Sequence, residues 1–177
     1  YGILTADNRY YAGQPYRDLD GSITNTFTYK GFDLSFMVTF GIGGKFYDAT
    51  YQNLMQTGSA SLGQAWHVDM LKAWEKPGDV TDVPRLSYGD QYAAATSDRF
   101  LMSNSFANLK NVNIGYTLPA KMMKDIGFQT IRIYVAGDNL LYFAGRKGVD
   151  LNQSLFGASS FTYYPYRTIM FGVNLGL

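Results

Sequence analysis

Along residues 32–42 every second side chain is apolar. Phe32, Leu34, Phe36, Val38, Phe40 and Ile42 fall in one phase, and Asp33, Ser35, Met37, Thr39 and Gly41 in the other. Successive side chains of a strand point to opposite faces, so the segment reads as a strand with one greasy and one polar face. Residues 166–177 repeat the pattern, with Ile169, Phe171, Val173, Leu175 and Leu177 set against Thr168, Gly172, Asn174 and Gly176, and Met170 as the exception. Three further segments behave alike. Ile23, Phe27 and Tyr29 oppose Thr24, Thr26 and Thr28; Val112, Ile114, Tyr116 and Leu118 share a phase; Ile131, Ile133 and Val135 oppose Thr130, Arg132, Tyr134 and Asp138. Leu109 is out of phase with Val112, which predicts a β-bulge near Lys110 and Asn111. The predicted strands are 22–29, 32–43, 105–118, 128–142 and 166–177. The clearest of them match the roughly 9–11 residues with which a strand crosses a bilayer.

The connectors fall into two kinds. Lys30-Gly31 is a minimal hairpin turn, and Pro119 to Phe128 is short, with one helical turn expected around Lys121 to Lys124. Gly43 to Asp98 and Ala144 to Pro165 are far longer. Short and long connectors alternate strictly, as in an outer-membrane barrel with short periplasmic turns and long external loops. A soluble sandwich has no reason to segregate its loops this way. Inside the first long connector, Trp66, Met70 and Trp74 recur every fourth residue, which predicts a short loop helix over Leu62 to Glu75. Aromatics gather at strand ends: Tyr29, Phe32, Tyr116 and Phe128 toward the short turns, Phe106, Tyr142, Phe143 and Tyr166 toward the long loops. Two interfacial girdles are expected from them. Single-chain barrels use an even number of strands from 8 upward. Residues 1–177 are therefore expected to be the C-terminal part of a larger antiparallel transmembrane β-barrel, all-β in class.

Composition narrows the chemistry. Net charge is +1, with 15 basic and 14 acidic residues, so nothing points to nucleic acid. The absence of cysteine excludes disulfides and thiolate chemistry. Fifteen Tyr, twelve Phe and nineteen Gly favour strands and tight turns. No apolar run approaches the length of a membrane-spanning helix.

Several blocks carry a family likeness. Ser97-Asp-Arg-Phe-Leu101, Ser105-Phe106, Leu109-Lys-Asn-Val112 and Ile114-Gly-Tyr-Thr-Leu-Pro119 stand in order with Thr26-Phe-Thr-Tyr-Lys-Gly-Phe-Asp-Leu34, Gly137-Asp-Asn-Leu-Leu141 and Arg167-Thr-Ile-Met-Phe-Gly-Val-Asn174. Trp74-Glu-Lys-Pro77 with Thr81-Asp-Val-Pro-Arg85, the stretch Gly2 to Arg9, and Gly13-Gln-Pro15 agree with them. Together they resemble the C-terminal barrel of the SusC/RagA family of TonB-dependent outer-membrane transporters of Bacteroidota. The terminal Leu177 stands where that family usually has an aromatic. The resemblance implies a share in a barrel of about 22 strands, a plug domain inside it and a SusD-like surface lipoprotein over it. It further implies oligosaccharide or oligopeptide import energised by TonB through an N-terminal part outside this chain. The location implied is the outer membrane, with the lipid bilayer as the outward partner.

Candidate sites are few. His67 is the single histidine, so a His-based metal cluster or triad has nothing to build on, and no enzymatic role is expected. Asp79, Asp82, Asp90 and Asp98 are the only candidates for a calcium site; no other cofactor is indicated. Loop aromatics can stack on sugar rings or meet a partner, which singles out Tyr10, Tyr11, Tyr16, Trp66, Trp74, Tyr88, Tyr92, Tyr163 and Tyr164. Asp33, Asn113, Arg132 and Asp138 fall on the polar phase and are expected to face the lumen, with Arg132 paired to Asp138 or to a plug carboxylate. Gly41-Ile-Gly-Gly44 ends a strand and lacks the helix that a phosphate loop needs. The competing reading is a secreted, aromatic-rich β-sandwich that binds carbohydrate.

Overall fold

A computed structural model describes residues 5–56, 65–90, 92–93, 95–123, 127–153, 157–159 and 163–177. The chain divides into two compact units. One comprises Arg17–Gly43, Asn104–Leu151 and Tyr163–Leu177; the other comprises Tyr1–Tyr16, Gly44–Ser103 and Asn152–Thr162.

The first unit is built on β1 (Leu19–Tyr29), β2 (Phe32–Ile42), β5 (Phe106–Thr117), α2 (Ala120–Met123), β6 (Thr130–Ala144) and β8 (Thr168–Gly176). The second carries β3 (Lys45–Asp48), α1 (Ala49–Leu54), β4 (Leu101–Ser103) and β7 (Ala158–Ser159). The five long strands form one antiparallel sheet in the order β1-β2-β5-β6-β8. Compared with the sequence-based bounds, β1 starts three residues earlier and β8 two residues later.

The β1–β2 hairpin turns at Lys30 (φ 46°) and Gly31 (φ 87°). Positive φ at both central positions matches the right-handed twist of the flanking strands. Glycine is required at 31, because a Cβ there would meet the carbonyl oxygen of Thr117 at 2.7 Å.

Register keeps the two phases on separate faces across the whole sheet. Thr28 lies opposite Asp33, Asp33 opposite Gly115, Gly115 opposite Tyr134 and Tyr134 opposite Gly172, all on the polar face. Phe27, Leu34, Ile114, Val135 and Phe171 line up in the same way on the apolar face. Its outer members are exposed: Phe27, Ile114, Ile133, Phe171 and Val173 all have more than half of their surface open. Each such side chain left in water forgoes about 1.5–3 kcal/mol of burial. A sandwich would bury this face against a second sheet, whereas lipid covers it in a barrel.

The expected bulge is present at Lys110. β2 advances from Val38 to Met37 while β5 goes from Leu109 to Asn111. On the other side, β5 spans Leu109 to Asn111 while β6 spans Leu141 to Asp138. Asn139 takes up the extra length at φ 51°, a backbone state that Asn tolerates better than most residues. Its Oδ1 accepts from Lys110 Nζ (3.2 Å) and Asn108 Nδ2 (3.4 Å), and its Nδ2 donates to the Tyr166 carbonyl (3.3 Å). Asn139→Gly should therefore change stability little, while β-branched Asn139→Val should cost about 1–3 kcal/mol through backbone strain. Urea midpoints of the two refolded variants in lipid vesicles would test this ordering.

The bulge also corrects the aromatic girdle. By shifting the phase of β5 it places Phe106 opposite Gly41 on the polar face, stacked on Tyr142 at 5.9 Å. Phe106 is 7% exposed. These two rings belong to the inner packing of the sheet. Tyr29, Phe32, Tyr116 and Phe143 do lie in the apolar phase, and the Phe32 and Tyr116 rings pack at 4.4 Å.

The second unit has a small sheet of order β4-β3-β7. β3 runs antiparallel to β4, with Lys45 opposite Ser103, and parallel to β7, with Tyr47 opposite Ala158. Asp48 caps α1 by accepting from the Tyr51 N–H at 2.8 Å. Tyr51, Met55, Met70, Val83 and Phe100 form the core, joined by Tyr47 and Ala73. The predicted loop helix is corrected here. Residues 62–64 lie outside the described residues; beyond them the chain makes a 3-10 turn over Val68–Lys72 and is extended at Ala73. His67 starts this turn, its Nδ1 accepting from the Asp69 N–H at 3.1 Å while the ring meets Tyr51 edge-on. Of the fourfold-spaced trio only Met70 enters the core; Trp66 is exposed and Trp74 half-buried.

Candidate functional site

Two constellations occupy the polar face of the long sheet. The first centres on Arg132, near the Lys30-Gly31 turn. Its Nε and one terminal nitrogen grip both oxygens of Asp33 (2.9 and 2.5 Å), and that nitrogen also donates to Asn113 Oδ1 at 2.7 Å. Asp33 sits two strands away, so the guanidinium must cross β5. It does so over Gly115, where any Cβ would collide with it. The Tyr134 ring lies beside the charge at 5.0 Å and in turn covers Gly172, where a Cβ would collide with the phenol. The two glycines are thus the floor on which Arg132 and Tyr134 lie.

This pairing corrects the expected partner. Asp138 is on the same strand as Arg132, six residues along, which is about 20 Å at 3.3 Å per residue. It accepts instead from Asn111 Nδ2 at 2.7 Å, its neighbour across the β5–β6 ladder. Each side chain of the Arg132–Asp33 pair is 25% exposed, between the surface case and the buried one. A double-mutant cycle of Asp33→Asn and Arg132→Gln should give a coupling of about 1–3 kcal/mol, read from urea midpoints in vesicles. Additive single effects would show that the pair contributes nothing.

The second constellation lies at the other end of the strands and had no signal in the sequence pattern. Arg17 precedes β1 in an aperiodic stretch, yet its side chain is only 7% exposed. It donates to the Asn104 carbonyl (2.9 Å), Asn104 Oδ1 (3.1 Å), the Leu151 carbonyl (2.5 Å) and Asp20 (2.8 Å). Its guanidinium stacks 4.7 Å from the Phe106 ring. Tyr142 adds a bond from the Leu151 N–H at 2.8 Å and an edge-to-face contact with Tyr164. Arg17 therefore ties three separate segments to the sheet. Because its partners are as much as 134 residues away in sequence, no local spacing could reveal it.

The loop aromatics differ in their settings. Tyr10 donates its hydroxyl to Asp98 at 2.6 Å, and the carboxylate pushes its pKa up. Tyr11, Tyr88 and Tyr163 are almost completely exposed, Tyr16 is largely so, and Trp66 and Tyr92 are about half exposed. Trp74 differs from the others, forming part of an open cleft of about 450 Å3 with Thr81, Asp82, Val83, Pro84 and Arg85.

The four candidate calcium ligands are not gathered. Asp79 accepts from the Glu75 and Lys76 N–H groups, Asp90 from those of Tyr92 and Ala93, and Asp98 from Tyr10. Among the described residues no three His, Asp or Glu side chains are placed to hold a metal ion.

Known proteins share both the sequence and the fold. TonB-dependent receptor P3 of Formosa agariphila is 30% identical over 184 residues, covering 98% of this chain and 18% of that receptor. TonB-dependent receptor P26 of the same organism is 24% identical over 185 residues, with the same shares covered. The chain thus spans about a fifth of the length of the relatives it matches. No family model matches it. Among solved structures, the RagAB peptide importer in its 'open-open' state superposes with a TM-score of 0.80 at 21% identity, over 99% of this chain and 19% of that one. The 'closed-closed' state of the same importer gives 0.73 at 22%, over 98% and 20%. The alternating strands, the alternating connector lengths and these likenesses agree: the chain belongs to the TonB-dependent receptors, as a portion of an outer-membrane β-barrel.

Proposed function

We propose that the receptor containing this chain imports oligosaccharides or oligopeptides across the outer membrane, with energy supplied by TonB through a plug domain. In this reading the apolar face of the sheet meets lipid and the polar face lines the lumen. The short turns at Lys30-Gly31 and 118–129 lie on the periplasmic side. The long connectors project outward, toward substrate and a SusD-like surface lipoprotein. No covalent step falls to this chain. It supplies wall, lumen surface and outer loops, and the Arg132–Asp33–Asn113 cluster faces the plug near its periplasmic end.

The observation that carries the reading is the register, which lines up one predominantly apolar and one predominantly polar face across all five strands. Charge on a lumen wall is tolerated where it is paired or hydrated, and Arg132 is paired. The solved neighbours are structures of a peptide importer, which favours an oligomeric cargo. The test is uptake of fluorescent oligosaccharide and oligopeptide pools by cells with and without the gene, in the presence and absence of a proton uncoupler. Uptake of one pool should require both gene and proton gradient. Equal uptake of both pools by the deletion strain would overturn the reading.

A further inference from the structure

Lysine is an awkward residue for the first position of the β1–β2 turn. Lys30 holds φ 46° ahead of Gly31 at φ 87°, a geometry that Asn-Gly and Asp-Gly fill with less strain. A position that breaks a local rule is where a side chain has another task. Lys30 folds back so that its Nζ stands 5.2 Å from the centroid of the Tyr29 ring, which lies in the apolar phase and is 70% exposed. Asp33, the carboxylate nearest in sequence, is on the polar face and held by Arg132. Among the described residues Lys30 has no ion pair. Apolar surface continues from this point on the same side. The Phe32 and Tyr116 rings pack at 4.4 Å, and the row runs on through Ile133 to Val173, both more than half exposed, with no acidic residue in it. The Thr117 N–H donates to the Gly31 carbonyl at 2.7 Å, which sets the second short connector beside the first. There α2 carries Lys121 and Met122, both exposed.

We propose that this end of the apolar face binds one anionic phospholipid, its phosphodiester on Lys30 and an acyl chain along Phe32, Tyr116 and Ile133. The proposal rests on the reading above, in which the apolar face meets lipid and the short turns are periplasmic, and adds a fixed place for a single lipid. Amphipathic rings such as Tyr29 and Tyr116 settle at headgroup depth, so a cation carried on the face of Tyr29 stands level with the phosphates. A basic group at that depth attracts anionic headgroups, and Lys121 adds a second charge to the same end. A free anion would answer the ammonium but leave the exposed rings in water. A phospholipid answers both.

The test uses the full receptor in detergent micelles, with phosphatidylglycerol, phosphatidylethanolamine and lipid A titrated separately and bound lipid counted by native mass spectrometry. Phosphatidylglycerol should bind most tightly. Lys30→Asn keeps the turn geometry and should weaken it about fivefold, the worth of one interfacial lysine, while the receptor's thermal midpoint holds or rises. Lys30→Arg and Tyr29→Phe should retain most of the affinity, and Tyr29→Ala should lose several-fold. Equal phosphatidylglycerol binding by wild type, Lys30→Asn and Tyr29→Ala would overturn the site and leave the import reading intact. Displacement of the lipid by an excess of inorganic phosphate would make Lys30 an anion site with no lipid specificity and overturn the proposal. Equal binding of phosphatidylethanolamine would overturn the anionic class. Loss of lipid A in Lys30→Asn, with phosphatidylglycerol unaffected, would place the short turns at the outer leaflet and remove the proposal together with the orientation it rests on.

Discussion

Arginine at Val38 is expected to cost the barrel about 2–4 kcal/mol and to strip most of the receptor from the outer membrane. Val38 lies midway along β2, between Ile23 of β1 and Leu109 of β5, in the apolar phase. A guanidinium there would be carried toward the bilayer centre with only hydrocarbon around it, and snorkelling to either interface would have to span half the strand. Val173 lies in the apolar phase of β8 opposite Ile133, in the row that runs through Tyr116 and Phe32 beside the short turn, so arginine there should lower outer-membrane levels to a smaller degree. Outer-membrane levels by immunoblot, with gel mobility before and after heating, report assembly. Thr39→Arg is the control, since Thr39 points to the polar face opposite Asn108. Asn174→Arg is the poorer one, because Asn174 stands directly opposite Arg132 and would add a like charge. Wild-type levels of both valine variants would defeat the assignment of the apolar face to lipid.

Phe100→Ala is the second large effect, on the unit that carries the Trp74 cleft. Phe100 is wholly buried, edge-on to Tyr47 and Tyr51 at 6.3 and 6.1 Å, and it closes the same cluster as Met55, Met70 and Val83. Removing a ring from such a site costs about 3–5 kcal/mol in lost transfer and residual cavity. That is a large part of the roughly 5–15 kcal/mol that stabilises ordinary domains. Limited proteolysis of the receptor in intact cells should show cleavage within 65–90 speeding up in Phe100→Ala, with Phe100→Leu intermediate. An unchanged cleavage rate would mean that this cluster does not hold the segment.

The sheet was legible because a half-buried strand writes its two environments into alternate residues. The bulge was legible for the same reason: Leu109 broke the phase of Val112. The second unit wrote nothing comparable. Its strands β3 and β4 are four and three residues long, too short for a period, and its core is assembled from single residues in a long aperiodic segment. The spacing of Trp66, Met70 and Trp74 imitated a helix because one member, Met70, is a true core residue. At the polar site the residue types were readable and the partner was not. A strand keeps same-face residues of one chain far apart, so Arg132 found its carboxylate across the sheet, through a gap that Gly115 leaves. Arg17 had no readable sign at all, since it answers to carbonyls supplied by distant segments.

The pairing of Lys45 with Ser103 bears on how the chain reaches this topology. β1 meets β2 across two residues, but β2 must find β5 after residues 43–105, and the entropic cost of closing a loop grows with the logarithm of its length. Once β3 and β4 have paired, the far ends of that segment are already side by side. Only Gly43 and Gly44 on one strand and Asn104 and Ser105 on the other then separate that pairing from the β2–β5 ladder, with the Gly43 N–H donating to Ser105 Oγ at 2.9 Å. Where the β3–β4 pairing forms first, the closure left to β2 and β5 spans a few residues on each side instead of the whole connector, a long search made local.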